Sequence, residues 1–488
     1  MFNFRLSLQY VGFILWVFSF SMLFPIAISL YFDTDPFPFI YSFSITAVIG
    51  WSVWKYFKSR QESDHIHRKD SLLIVVLVWL GVSFFGSLPY IFSDAFGSIS
   101  LGAGVDAWFE STSGFATVGA SVMNHIESMP SDILFWRALT QWIGGGGIIV
   151  LAVAILPFLG VGGLELFQAE TPGPTTDKLQ PRVAQTARAL WKIYLVLTAL
   201  CFICLVVAGM PIFDALCHTF STVSTGGFST RNASVGAYGV PAYEWIIIVF
   251  MFLAACNFVL HYYFMSDPWV YFRDQQFKAF CWIILVATGL IILDVGIHQG
   301  STHWHDDIRH ALFSVVSVVA TCGFSATDYV QWPSLSQMVL VFLLIVGGCA
   351  GSTSGGIKVI RVVVIAKHAL NELLRFIHPQ SVSVIKVGGQ VVNSDTLNGV
   401  FGFLTIYFFV ALISIGMLSF LGADFSTAIS GVLACLAGAG PGIGLVGPHD
   451  TYAWLHPMSK CVLSLDMLLG RLEMITFVTL CVPEYWKK

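Results

Sequence analysis

Apolar runs of about 20 residues, the length that the hydrocarbon core of a bilayer demands, recur about ten times along these 488 residues. They cover Leu6–Tyr31, Phe39–Trp54, Ser71–Phe92, Ile133–Leu156, Leu190–Met210, Trp245–Phe264, Phe277–Ile297, Met338–Val364, Val400–Leu421 and Lys460–Val482. Length alone would suggest roughly three soluble domains. Composition overrides that prior: 56% of residues are hydrophobic and only 11% charged, with a mean hydropathy of +0.78. Such a chain has too little polar surface to coat a water-facing globule, and it reads as a multi-pass membrane protein. The net charge of −4 and pI near 6.3 argue against a nucleic-acid partner. The first run is too long for the apolar part of a signal peptide, and no A-x-A cleavage site follows it, so it is expected to be a span.

Charge sets the expected orientation. Connections after even-numbered runs hold Lys55, Lys58, Arg60, Arg68 and Lys69, then Lys178, Arg182 and Arg188, then Arg273, then Lys367, Arg375 and Lys386, and the tail ends in Lys487-Lys488. Connections after odd-numbered runs hold only Arg231 and Arg309. The positive-inside rule then predicts that the basic loops and both termini face the cytoplasm.

On the opposite side, four short apolar stretches run into glycine-centred turns about a hundred residues apart: Phe115–Ala120, Val223–Phe228, Ala320–Phe324 and Gly438–Gly442. The stretches that precede them, Asp106–Thr117, Asp214–Ser224, Arg309–Thr321 and Asp424–Gly438, are helix-like but too short to cross a membrane. A short apolar helix ending in glycine at that position is expected to be re-entrant, with its irregular backbone buried by protein or lining water. Taking Gly119, Gly226, Gly323 and Gly440 as equivalent positions, the predicted unit is span, half-helix, turn, span, made four times. Inward-turned carbonyls are how a protein replaces the water shell of a monovalent cation, and glycine permits the turn. The negative ends of four half-helix dipoles would add to that preference. So would the acids expected at the mouth: Asp94, Asp106, Glu110, Glu127, Asp132, Asp214, Asp306, Asp307, Asp328, Asp424 and Asp450. Asp106, Asp214 and Asp424 are also expected to cap helix N-termini.

The eighth run is interrupted by Gly347-Gly348-Cys349-Ala350-Gly351-Ser352-Thr353-Ser354-Gly355-Gly356, followed by Lys358 and Arg361. So many glycines and hydroxyls cannot continue a helix in lipid. The segment reads either as a mobile plug below the turns or as a static kink from small-residue packing, and the plug is the expectation. Arg471, flanked by Asp466 and Glu473, lies within the last run, where an ionisable residue marks function. It is expected either to face the pathway as a barrier to cations or to pair with a carboxylate on a neighbouring helix. Lys358 and Arg361 are expected to snorkel toward water, and His261 to be a packing residue. The C-x-x-C at Cys201 and Cys204 reads as packing, because no His or carboxylate flanks it. His298, His303, His305 and His310 lack metal-ligand spacing. Gly144–Gly147, near Gln141, read as close helix packing rather than a phosphate cradle.

At these residues the chain resembles a known family. Gly347–Arg361, the tail motif Gly470-Arg471-Leu472-Glu473, Phe109-Glu110-Ser111, and the segment Thr171–Lys178 with Pro181-Arg182 and Thr186–Arg188 are similar to the TrkH membrane subunits of bacterial Trk potassium-uptake systems. That family is related to KtrB and the plant HKT transporters. The resemblance implies an all-α polytopic membrane protein with four pseudo-symmetric helix–pore-helix–filter–helix units around one pore, plus two extra N-terminal transmembrane helices. The expected divisions are 1–65 for the N-terminal pair, then 66–160, 161–266, 267–390 (with the gating loop 347–356) and 391–488. It further implies a homodimer in the bacterial inner membrane and a cytoplasmic ring of nucleotide-binding TrkA subunits. ATP, ADP or NAD would bind only on that partner, and no cofactor on this chain.

The potassium-binding carbonyls are then expected from Thr117-Val118-Gly119, Ser224-Thr225-Gly226, Thr321-Cys322-Gly323 and Ala439-Gly440-Pro441, and the gate from residues 347–356 with Lys358 and Arg471. Glycine at all four filter positions goes with potassium selectivity in this family. The chain departs from the usual Thr-Thr-Thr-Gly of the first turn in carrying Ala116-Thr117-Val118-Gly119, similar to the Thr-Val-Gly of potassium channels. A single ordered glycine per unit implies few carbonyl layers, hence modest discrimination with rubidium admitted. The rival readings are a symporter coupling potassium to proton or sodium and, from a different class, an intramembrane hydrolase using Ser352 or Ser354, for which no G-x-S-x-G elbow exists.

Overall fold

Helices, many of them long enough and apolar enough to cross a bilayer, make up nearly all of the fold. The computed structural model describes residues 4–58, 68–98, 100–154, 179–300, 304–379 and 384–486. Arg60, Leu156, Thr171–Lys178, His303 and Lys487-Lys488 lie outside the described residues. Two N-terminal spans, Phe4–Tyr31 and Phe37–Phe57, pack side by side. A Cβ at Gly12 or Gly50 would strike the facing backbone, so the two rods touch where neither carries a side chain.

Four units follow. Each opens with a long helix: Arg68–Phe85 (continued by Leu88–Phe92), Leu179–Val207, Gln275–Val295 and Ser394–Phe420. Each then has a half-helix, Leu101–Phe115, Ile212–Val223, Trp304–Val319 or Phe425–Ala437. These run only 12 to 16 residues, about half a bilayer's worth. Closing helices complete each unit.

Among the described residues only the first closing helix, Ser131–Ala154, runs unbroken. The second breaks between Pro241–Ala255 and Phe258–Phe264 with a bend of 99°. The third stops at Val346 and resumes at Val359, and the fourth breaks between Arg471 and Met474. The uninterrupted span expected over Trp245–Phe264 is therefore corrected, and so is the one over Lys460–Val482. Hydropathy averaged over a span does not register either break, because each holds a single polar residue, Asn257 or Glu473, among apolar neighbours.

Caps explain some of the half-helix starts. Ser100 accepts from Ala103 N at 3.1 Å, and Asp424 accepts from Thr427 N at 3.2 Å. The Thr427 hydroxyl, and after it the backbone N–H groups of this first turn, hold the Asp424 carboxyl below its usual range. Asp106 and Asp214 do not cap. Asp106 lies inside its helix and meets Lys460 Nζ at 2.5 Å. Asp214 sits in a first turn, accepting from Thr230 Oγ at 2.8 Å with Arg231 at 3.5 Å. Around the half-helices lie two large apolar clusters: Phe109, Ala215, Phe313 and Ala428 are fully buried in one, and Ala107, Phe115 and Cys217 belong to the other. A small antiparallel pairing, Lys386–Val387 with Gln390–Val391, is the only strand structure among the described residues.

Glycines set the closest helix approaches. A Cβ at Gly144 would fall on the Phe115 carbonyl, and one at Gly470 on the Leu436 carbonyl, both at the ends of half-helices. Gly470→Ala should therefore lower stability by about 1–3 kcal/mol. Gly289→Ala, with open space around it, should not. Thermal midpoints of the two detergent-purified variants would show the contrast.

Candidate functional site

The four half-helices end in the same way. In each, one backbone N–H reaches back five residues: Val118 to Ser113, Gly226 to Ser221, Cys322 to Ser317 and Ala439 to Ala434, at 2.8–2.9 Å. The residue before each of these has a left-handed backbone: Thr117 (φ 51°), Thr225 (54°), Thr321 (54°) and Gly438 (82°). The residue after is a left-handed glycine: Gly119 (88°), Gly227 (81°), Gly323 (87°) and Gly440 (78°). For a threonine that conformation is strained, by about 1–3 kcal/mol, and three threonines share it at one position of the repeat.

This register corrects two of the four expected triplets. The equivalent of Gly119 is Gly227, not Gly226, so the second triplet is Thr225-Gly226-Gly227 rather than one starting at Ser224. The fourth is Gly438-Ala439-Gly440 rather than one ending at Pro441. The first and third triplets, Thr117–Gly119 and Thr321–Gly323, already carry this backbone register. In correct register the repeat is stricter than glycine spacing suggested: Thr at the strained position of three units, and Ala116, Ser224, Ala320 and Ala437 just before it.

The turns close into a ring. A Cβ on Gly119 would fall on the Gly226 carbonyl oxygen, one on Gly227 on that of Cys322, one on Gly323 on that of Ala439, and one on Gly440 on that of Val118. Each unit thus meets the next, and the fourth returns to the first. Above the ring lies a cavity of about 190 Å³, reached by Gly119, Gly227, Gly323 and Pro441 from the four units.

The mouth is not one-signed. Arg137 and Arg231 line this cavity together with Asp450. Several of the expected acids are held in ion pairs: Glu110 with Arg137, Asp106 with Lys460, Asp214 with Arg231 and Asp306 with Arg309. The Glu110–Arg137 pair is wholly buried behind the first two turns. Arg137 Nε donates to Glu110 at 2.8 Å and its Nη1 to the Ser229 carbonyl at 3.0 Å, while Glu110 also accepts from Val122 N at 2.9 Å. The guanidinium lies 4.2 Å from the centre of the Phe228 ring. Arg137 was missed in the sequence, although a lone cation inside an apolar span is a signal.

Beneath the ring sits the segment 347–358. Its ends are tied together by Lys358 N to Val346 O at 2.9 Å and Val359 N to Gly348 O at 3.0 Å. Cys349 N reaches Ala255 O and Phe258 N reaches Gly351 O, both at 3.0 Å, so this segment fills the break in the second unit's closing helix. Thr353 Oγ1 lies 3.2 Å from Thr225 Oγ1, Gly355 N donates to Thr321 Oγ1 at 2.7 Å, and a Cβ at Gly355 would fall on the Ala437 carbonyl. The segment therefore touches the second, third and fourth turns from below.

Arg471 is buried and pairs with no carboxylate among the described residues. Its Nη1 donates to Thr353 O at 2.6 Å and its Nη2 to Gly144 O at 3.3 Å, which pins the segment to the first and last units. Glu473 binds Arg361 instead, at 2.5 Å, and Asp466 accepts from Ser414 at 2.9 Å. Lys358 and Arg361 do not snorkel. Lys358 Nζ folds back onto the Ser354 carbonyl, and Arg361 is buried against Glu473 and the Phe403 ring.

Other expectations concern packing. His261 bonds Tyr271 and the Leu253 carbonyl, as a packing residue does. Cys201 is buried while Cys204 is exposed, so the two thiols face apart. The Ser352 hydroxyl donates to the Cys349 carbonyl at 2.5 Å rather than to a base. No group of metal-ligating side chains occurs among the described residues.

Re-entrant half-helices, a closed ring of main-chain turns and a segment lodged beneath it define a membrane transport protein rather than an enzyme. A family model for TrkH cation transport proteins matches residues 39–488. The Trk system potassium uptake protein TrkH of Salmonella typhimurium is 39% identical over 100% of both chains, and that of Vibrio parahaemolyticus is 40% identical over 99% of this chain and 100% of that one. The crystal structure of the potassium transporter TrkH from Vibrio parahaemolyticus superposes with a TM-score of 0.90 at 38% identity, covering 100% of both chains. The chain belongs to the TrkH family.

Removing one partner of a buried ion pair strands the other, at about 3–5 kcal/mol. Arg137→Ala and Glu110→Ala should each destabilise the protein by that order, and the double variant by less than the sum of the two. A thermal-shift double-mutant cycle measures the difference.

Proposed function

We propose that this chain carries potassium into the cell across a bacterial inner membrane, the ring of turns acting as the ion filter and the segment 347–356, held by Arg471, as the gate. The observation that carries this reading is ring closure: four equivalent main-chain turns meet in cyclic order, with carbonyls at every junction. The relatives' names, which describe potassium uptake in a Trk system, support the choice of ion and the presence of further components. The orientation follows from the basic loops, with both termini cytoplasmic and the cavity above the ring facing outward. A homodimer gated by a cytoplasmic ring of nucleotide-binding TrkA subunits completes the proposal.

Transport is driven by the gradient and the membrane potential, worth about 2.3 kcal/mol per charge for each 100 mV. At the filter, an arriving ion exchanges water for carbonyl oxygens. Below it, a loop whose ends are bonded to each other can leave the axis as a unit, since its stem need not unravel.

Rubidium uptake into liposomes by the purified protein tests the pathway. Uptake that potassium competes away and sodium barely affects is expected; strong sodium preference overturns the reading. Gly323→Ala should abolish that uptake, because the new Cβ lands on the Ala439 carbonyl in a left-handed turn. Deleting 350–354 should raise uptake and reduce its dependence on a cytoplasmic partner, and unchanged flux would remove the gating role.

A further inference from the structure

The four turns are equivalent in backbone but not in what stands behind them. The carbonyls of Val118, Gly226, Cys322 and Ala439 occupy corresponding places, each against the neighbouring unit's glycine. Among the described residues only one of the four receives a side-chain donor: Gln141 Nε2 reaches Gly226 O at 2.6 Å. The same amide accepts from Phe228 N at 3.1 Å through Oε1, so it grips the second turn on both sides of Gly227. Gln141 is fully buried.

In the next ring of carbonyls, those of Gly119, Gly227, Gly323 and Gly440, again one of the four receives a side-chain donor among the described residues. The Tyr452 hydroxyl reaches Gly440 O at 2.7 Å. Tyr452 is itself fixed, its N–H on Ser121 O at 2.9 Å and its ring 5.6 Å from that of Phe109, so it ties the fourth turn to the first unit.

We propose that Gln141 and Tyr452 are positioning residues that set the ion preference of the pathway, each holding one carbonyl in one of two successive rings. The proposal rests on the filter reading of the four turns. A turn built from left-handed residues can let its oxygen follow a smaller ion inward, and a ring that shrinks onto sodium loses discrimination by size. A donor behind the oxygen opposes this twice: it anchors the oxygen at the wider spacing, and it draws electron density away from the lone pairs that a small, strongly polarising ion would use. Discrimination then depends on two side chains outside the turn motif itself.

The test compares potassium and sodium fluxes through the full-length protein in liposomes for Tyr452→Phe and Gln141→Leu. Tyr452→Phe deletes only the donor and keeps the ring against Phe109, so it decides the matter if Gln141→Leu does not fold. The potassium-to-sodium flux ratio, which is independent of how many molecules are active, should fall by more than about threefold in each, the order expected for one hydrogen bond. A smaller fall, or a rise, overturns the assignment. Rubidium uptake by the unsubstituted protein separates the two levels: its absence sinks the filter reading, whereas normal uptake with unchanged variant ratios sinks only the role of Gln141 and Tyr452.

Discussion

Everything in this molecule depends on the exclusion of a Cβ at four points. Gly119, Gly227, Gly323 and Gly440 stand so close to the carbonyl of the neighbouring unit that a methyl group would occupy the same space. Their left-handed backbone would in any case strain another residue. Because each contact is between main chains of different units, the ring cannot form piecemeal. All four half-helices must arrive at one depth and one angle, and the rest of the fold delivers them there. The bare backbone approaches at Gly144 and Gly470 set how near the closing helices come to the half-helices.

A second consequence concerns the polar groups that this geometry leaves in the membrane interior. Half-helix ends, broken spans and the 347–358 segment all expose backbone that lipid cannot solvate. The molecule satisfies these groups against one another. On either side of the break at Cys256-Asn257, the Ala255 carbonyl accepts the N–H of Cys349 and the Phe258 N–H donates to the Gly351 carbonyl. The free guanidinium corners of Arg471 take carbonyls from Thr353 and Gly144. Among the described residues, this guanidinium is bonded to carbonyls and to no carboxylate, and it lies beneath the ring. On the gate reading proposed above, the same guanidinium would act both as a latch on the segment and as a barrier to cations.

Much of this was legible in the chain. The apolar runs mark the spans, the short stretches ending in glycine mark the half-helices, and the glycine-rich interruption at 347–356 marks the segment below the ring. The second turn was misread by one residue because it carries two glycines in succession, Gly226-Gly227, and spacing cannot say which one needs a positive φ. The threonine two places before the glycine was the better guide, since Thr117, Thr225 and Thr321 share the strained position. The acidic mouth was overcounted for a different reason. Composition shows Glu110, Asp106 and Asp214 but not that Arg137, Lys460 and Arg231 stand beside them.

By itself, the chain determined that this is a four-unit membrane protein with re-entrant helices, because hydrophobic run length and backbone freedom are local properties written residue by residue. Only the tertiary structure decided which carbonyls meet, in what order the units close, and which carbonyls carry a second partner. The side chains of Gln141, Tyr452 and Arg137 bond partners 12 to 92 positions away in the chain, and those bonds depend on distances of a few ångströms that only packing establishes.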